Sequence, residues 1–221
     1  MVPSALEGAN HTVPDVRTVS VFLALLAVTA QIAVLVAVVL TVASRWSAGA
    51  AGLRDALAGA IVPSALWLAF AVAAVATLGS LYYSEVAHFV PCQLCWYQRI
   101  AMYPLVPVLG LAALRDDHSV RRHALVLSVI GMPISAWHIL VERFPNLETG
   151  ACDPANPCSL IWVNTFGYLT IPTMALSAFA LVSVLLLVAG RVGAEEEAAT
   201  REAMPRTVAD EPVRPPRGAF P

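Results

Sequence analysis

Five long apolar runs constrain this chain more strongly than any other feature of its sequence. Each run is 18 to 25 residues long, and a helix needs about 20 apolar residues to cross the roughly 30 Å hydrocarbon core of a bilayer. The chain is 58% hydrophobic and 13% charged, whereas soluble domains carry about 25% charged residues. We therefore predict an all-α membrane protein with five transmembrane helices. They cover residues 19–43, 63–83, 96–114, 124–141 and 166–189.

The first apolar run is predicted to remain in the protein as an additional amino-terminal transmembrane helix. Its 25 residues exceed the 7 to 15 residues that are typical of the apolar region of a signal peptide. The segment before Arg17 also lacks the basic residues with which signal peptides begin.

The arginines predict the orientation of the helices, because short cytoplasmic segments are enriched in basic residues. With the amino terminus outside, segment 1–18, Arg17 and Arg143 lie outside the cytoplasm, whereas the loop 44–62 and the tail 191–221 lie inside. The tail is polar and proline-rich, so we predict that it is disordered. The arginines near helix ends on the cytoplasmic side are Arg45, Arg54, Arg115, Arg121, Arg122, Arg191, Arg201 and Arg206.

All four cysteines fall in the two longer loops that this orientation places outside the cytoplasm. The first pair, Cys92 and Cys95 in "VPCQLCWYQRIAMYPL", stands where a helix is expected to begin, and the positive end of a helix dipole favours a thiolate. This spacing is typical of redox-active pairs, but a structural disulfide or a zinc site remains open. The second pair, Cys152 and Cys158 in "CDPANPC", stands in a turn-forming segment that can close a structural or an exchangeable disulfide ring.

Arg99 follows Cys95 by about one helical turn, inside a predicted span. An ionisable residue at that depth indicates a functional site, although its side chain could instead extend outward to the interface. A cation beside a thiolate would suit a lipid-soluble electron acceptor that becomes anionic when it is reduced, and a quinone has these properties. His138, at a similar predicted depth, could donate a hydrogen bond or a proton to the quinone, or could simply be a packing residue.

The motifs "PCQLCWYQRIAMYPL" and "NTFGYLTIPTMALSAF" resemble those of the quinone-linked disulfide-bond formation protein B (DsbB) family, and especially its Gram-positive, BdbC-like branch. The resemblance implies a four-helix transmembrane bundle, residues 63–190, with the helix 19–43 as an addition. It also implies an enzyme that re-oxidises a DsbA-like, thioredoxin-fold thiol oxidase outside the cytoplasm and passes the electrons to a membrane quinone. Menaquinone is favoured over ubiquinone if the source is actinobacterial, and a lysine-free composition rich in alanine, valine and arginine is compatible with a GC-rich bacterial genome.

The resemblance also implies a role for each site residue. Arg99 would contact the quinone, and Cys95 would lie beside the quinone ring. Cys92 would exchange with the second loop, where Cys152 would receive the partner's thiol and Cys158 would join Cys92. In the resting protein the expected disulfides are Cys92–Cys95 and Cys152–Cys158.

Two other functions remain as alternatives. The four cysteines could form a soft metal site in a non-catalytic membrane protein, which would require reduced thiolates rather than disulfides. They could also form two inert disulfides that hold the loops together, although this hypothesis gives Arg99 no role. A formal net charge of -2 with scattered basic residues gives no indication of a nucleic-acid partner.

Overall fold

The computed structural model describes residues 15–148, 150 and 152–203, with the backbone alone for residues 191–203. The predictions for segment 1–14 and for residues 204–221 lie outside the described residues. The described chain is helical, and its helices are connected by short turns and by two longer loops. The helices are α1 (Val16–Ala43), α2 (Ala48–Ile61), α3 (Ala65–Leu81), α4 (Gln93–Met102), α5 (Leu105–Arg115), α6 (Arg121–Arg143) and α7 (Ile171–Ala203).

The described helices confirm an all-α, multi-pass membrane protein. Four helical stretches are long and apolar enough to cross a bilayer. The stretches are Val16–Ala43, Ala48–Val86, Arg121–Arg143 and Ile171–Gly190. The second of them joins α2 to α3 through a 3₁₀ turn, Val62–Ser64, and continues through a π turn, Tyr82–Val86.

The predicted loop 44–62 is largely helical, because it contains α2. Ser47 caps the amino end of α2, where its side chain accepts a hydrogen bond from the Ala50 N–H at 3.4 Å. The alanine content of α2 favours a helix, and its glycines are tolerated. The prediction of a segment boundary near Pro63 is correct only in the sense that the α-helix is interrupted there by one tight turn.

The predicted third span, residues 96–114, is divided into α4 and α5 by a turn at Tyr103 and Pro104. A proline lacks the amide hydrogen that a continuous helix requires, and its ring crowds the preceding turn. The helix also begins three residues before the predicted span, at Gln93, and Cys92 is its capping residue.

The carboxy-terminal helix α7 is longer than predicted. It continues to Ala203, so residues 191–203 are helical and the prediction of a disordered tail from 191 is wrong for this segment. The segment "AEEEAATREA" consists mainly of strong helix formers, and extending an existing helix avoids the cost of nucleation.

The core of the bundle lies between α3, α5, α6 and α7. Its fully buried side chains include Leu105, Leu109, Phe179 and Leu186. At Gly131 on α6 the absence of a side chain lets the ring of Phe179 approach, because a Cβ there would overlap the ring. Polar side chains also connect these helices, since the Ser183 hydroxyl donates to Ser128 Oγ at 3.0 Å.

Candidate redox site

The four cysteines pack together at one end of the bundle. Cys92 and Cys158 are buried in one cluster with Leu94 and Val141, and Cys95 and Cys152 pack against it. The structure contains the Cys152–Cys158 disulfide, whose Cα atoms are 5.9 Å apart. Cys92 and Cys95 are free thiols here, so the expected Cys92–Cys95 disulfide is not formed in this structure. In this structure one cysteine pair is therefore oxidised and the other is reduced.

The sulfur of Cys92 caps helix α4. It accepts a hydrogen bond from the backbone N–H of Cys95 at 3.2 Å, and the unpaired amides at the start of a helix favour a negative charge there. The pKa of Cys92 is lowered from 9.0 to about 5, chiefly by the side-chain hydrogen bond from Cys95 and further by His138, against an opposing effect of burial. Cys92 is therefore a thiolate near neutral pH when the pair is reduced.

His138 on α6 lies between the two cysteine pairs. Its Nε2 atom is 3.6 Å from Cys92 Sγ and 3.1 Å from the carbonyl oxygen of Cys158. Its Nδ1 atom is 3.0 Å from Gln98 Nε2, which can only donate, so this geometry assigns the imidazole proton to Nε2. His138 is only 3% exposed. His138 was expected to contact a quinone or to be a packing residue. In the structure it contacts Cys92 and the Cys158 carbonyl oxygen, and the quinone contact stays a prediction.

Two polar residues hold the second cysteine loop, one by contacts within the loop and the other by a contact with the segment that carries Cys92. Glu148 accepts hydrogen bonds from the Cys158 N–H and, at 2.8 Å, from the Ser159 hydroxyl. Asn156 donates from Nδ2 to the carbonyl oxygen of Pro91 at 3.0 Å, directly beside Cys92. Neither residue was predicted from the sequence. Asn156 could have been suspected from its place in a turn-forming segment, but nothing local to Glu148 indicates its role.

The two cysteines of the disulfide in this loop differ in their exposure to solvent. Cys158 is fully buried, at 0% exposure, whereas Cys152 is partly exposed. An incoming thiolate must approach a disulfide sulfur directly. The geometry therefore favours attack on Cys152 from outside the protein and leaves Cys158 facing the bundle.

Arg99 is held inside the bundle by Ser80 on α3. Its Nε atom donates to Ser80 Oγ and its Nη2 atom to the Ser80 carbonyl oxygen, both at 3.1 Å. The guanidinium also stacks on Trp96 and Tyr103, with 5.2 Å and 5.9 Å to the ring centroids. These contacts between helices argue against an arginine that merely extends to the interface. Ser80 was not predicted, because it is 19 residues away in the sequence.

A cavity of about 250 Å³ opens beside Cys95 and Arg99. Its polar lining includes Ser80, Gln98 and Tyr103, and α1, α3 and α7 supply most of the apolar remainder. At the cysteine end of the cavity, Phe89 stacks between Tyr83 and Trp162, at centroid distances of 5.7 Å and 4.8 Å. A few polar groups within an apolar enclosure are typical of sites for small lipophilic molecules.

The side chains of Cys92, Cys95 and His138 lie close enough to share a metal ion, with ligand atoms within 4.8 Å of one another. Glu148, Cys152 and Cys158 are similarly close. Cys152 and Cys158, however, are joined in a disulfide, and a cysteine binds a metal ion as a free thiolate. The four-thiolate site considered from the sequence is therefore not available in this redox state.

Comparison with known proteins shows where the sequence is shared. Residues 62–189 match the family model described as "Disulfide bond formation protein DsbB". The chain is 44% identical to "Disulfide bond formation protein C" of Bacillus subtilis over 122 residues, which are 55% of this chain and 88% of that protein.

Two further relatives come from other bacteria. A "Probable disulfide formation protein" of Oceanobacillus iheyensis is 47% identical over 124 residues, covering 55% of this chain and 86% of the relative. A protein of the same description from Deinococcus radiodurans is 44% identical over 137 residues, covering 55% and 85%. The comparison with solved structures gives no significant match.

Proposed function

The chain belongs to the disulfide bond formation protein DsbB family, and we propose from this premise that it re-oxidises a DsbA-like, thioredoxin-fold protein outside the cytoplasm and passes the electrons to a membrane quinone. The family supports a disulfide oxidoreductase with a thiol-disulfide partner protein. The partner's fold and the quinone are the proposed refinements. The observation that supports them most strongly is the contiguity of both cysteine pairs with a lipophilic cavity that contains Arg99.

The proposal places the cysteine end of the bundle outside the cytoplasm. The support is the arginine distribution, with eight arginines near helix ends on one side and two on the other. An oxidising compartment on that side is also where a stable disulfide such as Cys152–Cys158 is expected.

In the first proposed step, a thiolate of the reduced partner attacks Cys152 and displaces the Cys158 sulfur. The second partner thiol then displaces Cys152, so that the partner leaves with a disulfide and the chain holds two thiols. Cys152 is suited to this role because it is the more exposed member of the pair.

In the second proposed step, the thiolate of Cys158 attacks the oxidised Cys92–Cys95 pair at Cys92, its neighbour in the buried cluster. Cys95 leaves as a thiolate, and Cys152 then displaces Cys92 to restore the Cys152–Cys158 disulfide. One disulfide is lost at Cys92–Cys95 and one is gained in the second loop, so electrons balance. The products have the redox state described here.

His138 is proposed to stabilise the thiolate of Cys92, by a hydrogen bond, when Cys92 is displaced in this exchange. Its Nε2–H is directed at the region between Cys92 Sγ and the Cys158 carbonyl oxygen, and Gln98 fixes the tautomer by donating to Nδ1. A hydrogen bond to a charged group is stronger than one between neutral groups, so this contact makes Cys92 a better leaving group.

The cavity fits a quinone in both composition and position. Cys95 and Arg99 line it together, so the sulfur that must be re-oxidised lies next to a fixed positive charge. A bound quinone would accept two electrons and two protons. Arg99 would hold a polar oxygen near Cys95, and the apolar walls would exclude water and accommodate an isoprenoid chain. By the compositional argument above, menaquinone is the proposed species.

A turnover experiment tests the proposed function. Detergent-purified protein is mixed with an excess of a reduced thioredoxin-fold oxidase and a soluble quinone analogue, and quinol is followed optically. We expect one quinol per partner disulfide formed. Cys152→Ser should abolish oxidation of the partner, whereas Ser159→Ala, a neighbour without a sulfur, should retain it. Partner oxidation that proceeds without quinol formation would contradict the quinone assignment.

The metal hypothesis keeps one supporting observation, the proximity of Cys92, Cys95 and His138. It is tested by incubating the reduced protein with Zn²⁺ alone, removing the excess and measuring bound zinc. Stoichiometric zinc that survives addition of quinone, with no loss of free thiols, would favour this alternative. We expect instead that quinone consumes the two thiols.

A further inference from the structure

Helix α1 lies outside the stretch that matches the family, residues 62–189, yet it is packed into the bundle. The residues of α1 that are buried are all small, and they recur every three or four positions, which places them on one helical face. They are Ser20, Ala24, Ala27 and Ala30. Small residues allow close approach of membrane helices, so this face is suited to packing against α7.

Specific polar contacts fix α1 in this position. The Tyr83 hydroxyl donates to Ser20 Oγ at 3.0 Å in a buried contact. Further along α1, Gln31 Nε2 donates to Ser177 Oγ on α7 at 2.9 Å, and its Oε1 accepts from the Tyr168 hydroxyl at 3.0 Å. Hydrogen bonds between helices are a recurring source of stability in membranes. The helix is therefore docked rather than merely adjacent.

The same face of α1 forms part of the cavity that contains Cys95 and Arg99. Leu23, Leu26, Ala27 and Ala30 all line it. Leu23 also approaches α3 closely, because a Cβ on Gly79 would lie 2.8 Å from its side chain. Gly79 directly precedes Ser80, the residue that holds Arg99. Helix α1 thus contributes apolar residues to the cavity wall and also packs next to the serine that binds Arg99.

We propose that α1 is a wall of the quinone site, and that it separates the cavity from lipid and sets the affinity for the quinone. The inference rests on the proposed function, since it names the same ligand. Without α1, this side of the cavity would open directly to the acyl chains from which a quinone arrives. With α1 in place, a bound quinone must contact Leu26 and Ala27.

Photolabelling tests this contact without relying on turnover. The protein is irradiated with an azide-bearing quinone and digested with trypsin, which cleaves after arginine. The cavity residues of α1 then fall in the peptide 18–45, Ser80 and Cys95 fall in 55–99, and the cavity residues of α7 fall in 144–191. We expect covalent label in 18–45 as well as in 55–99, and competition by unlabelled quinone should remove both.

Label in 55–99 or 144–191 that is never accompanied by label in 18–45 would overturn the role of α1 and leave the proposed function intact. Absence of competable label from all three peptides, together with absence of quinol formation by the unmodified protein, would overturn both. These two failures are therefore distinguishable in one experiment.

Two pairs of substitutions measure the contribution of α1 to affinity. Ala27→Trp should fill part of the cavity and weaken quinone binding at least about tenfold, whereas Ala33→Trp, on the exposed side of the same helix, should not. If Ala27→Trp fails to fold, Leu26→Ala replaces it, with Leu25→Ala as its control. Leu26 lines the cavity and Leu25 is 54% exposed and does not.

For Leu26→Ala we expect weaker quinone binding, by about fivefold to tenfold, because three apolar carbons of the wall are removed. Exchange between the partner and Cys152–Cys158, measured without quinone, should be unchanged in all four variants. Equal quinone affinity within both pairs of variants would contradict the proposal.

Discussion

At the residue scale, the pair Cys92 and Cys95 is built to be chemically unequal. Cys92 receives hydrogen bonds from Cys95 and lies beside His138, whereas Cys95 lines the cavity with Arg99. The sulfur of Cys92 therefore faces the Cys152–Cys158 disulfide, and the sulfur of Cys95 faces the cavity of the proposed electron acceptor. The sequence predicted both cysteines and Arg99 from their spacing, but Ser80, Gln98 and Glu148 could not be predicted. Their roles depend on contacts between separate helices and loops, which local patterns do not encode.

The first residue-scale prediction concerns the pH dependence of Cys92. Its pKa in the folded, reduced protein is about 5, compared with 9.0 for an unperturbed thiol. The thiolate thus stabilises the folded reduced protein fully above the ordinary thiol pKa, and this stabilisation is lost as the pH falls through about 5. The rate at which Cys92 is alkylated in Cys95→Ser, which keeps a hydroxyl donor, should change little between pH 6 and 8, within the range set by these two pKa values. A rate that falls about tenfold per pH unit below 8 would contradict the thiolate.

The second residue-scale prediction concerns Arg99. Its planar group donates to Ser80 through two nitrogens and stacks on Trp96, so lysine cannot reproduce its position. Arg99→Ala should raise the apparent Michaelis constant for quinone by about 10- to 100-fold, since a hydrogen bond to a charged group contributes about 1.5–3 kcal/mol. Arg99→Lys should have a smaller effect in the same direction. Exchange between the two cysteine pairs, measured without quinone, is the internal control, and unchanged quinone kinetics in Arg99→Ala would remove Arg99 from the site.

At the scale of the elements, four of the five predicted spans correspond to helical stretches that are long and apolar enough to cross a bilayer. The third, residues 96–114, is divided between two shorter helices. The break between α4 and α5 depends on the backbone geometry of Pro104, and the continuation of α7 to Ala203 depends on helix propensity. Each lies within a segment of uniform polarity, so a hydropathy profile does not indicate it. The sequence also did not predict how the spans pack against one another. The small residues Ala24, Ala27 and Ala30 of α1 contribute little to a hydropathy profile, although they determine how closely the helix packs.

The element-scale prediction concerns the contact between α6 and α7. Gly131→Ala should destabilise the protein by about 1–3 kcal/mol, because the new methyl group overlaps the buried ring of Phe179. Gly59→Ala is the matched control, since nothing lies within 4 Å of a Cβ at that position on α2. It should be neutral, or stabilising by up to about 1 kcal/mol. Both are measured by thermal unfolding in detergent, and equal melting temperatures for the two variants would contradict the close packing described here.

At the scale of the whole molecule, the bundle gathers at one end all the groups that the proposed electron path requires. The partly exposed Cys152, the buried cluster that contains Cys158 and Cys92, and the cavity beside Cys95 follow one another without a gap. The sequence predicted that the cysteines share a side of the membrane, because orientation depends on the arginine distribution along the chain. It could not predict that the added helix α1 would join the cavity, because that depends on tertiary packing.

The prediction for the whole molecule is its orientation in the membrane. In intact cells treated with a reductant, a membrane-impermeant thiol reagent should label Cys152, which is partly exposed. The control is a variant with Cys152→Ser, in which this label should be lost, and a cysteine introduced at Asp117 in the opposite loop should react only after the membrane is broken. Labelling with the reverse dependence on membrane integrity would invert the topology and exclude an extracytoplasmic partner.

The central claim, that electrons leave through Cys92 and Cys95 to a quinone, is tested most directly in a single turnover. Protein in the redox state described here is mixed anaerobically with excess quinone analogue, quenched by alkylation and digested with trypsin. Peptide 55–99 contains Cys92 and Cys95, and peptide 144–191 contains Cys152 and Cys158. We predict one quinol per chain, loss of both alkylatable thiols from 55–99, and no change in 144–191. Thiols that persist in 55–99 while quinol forms, or that disappear without quinol, would contradict the claim.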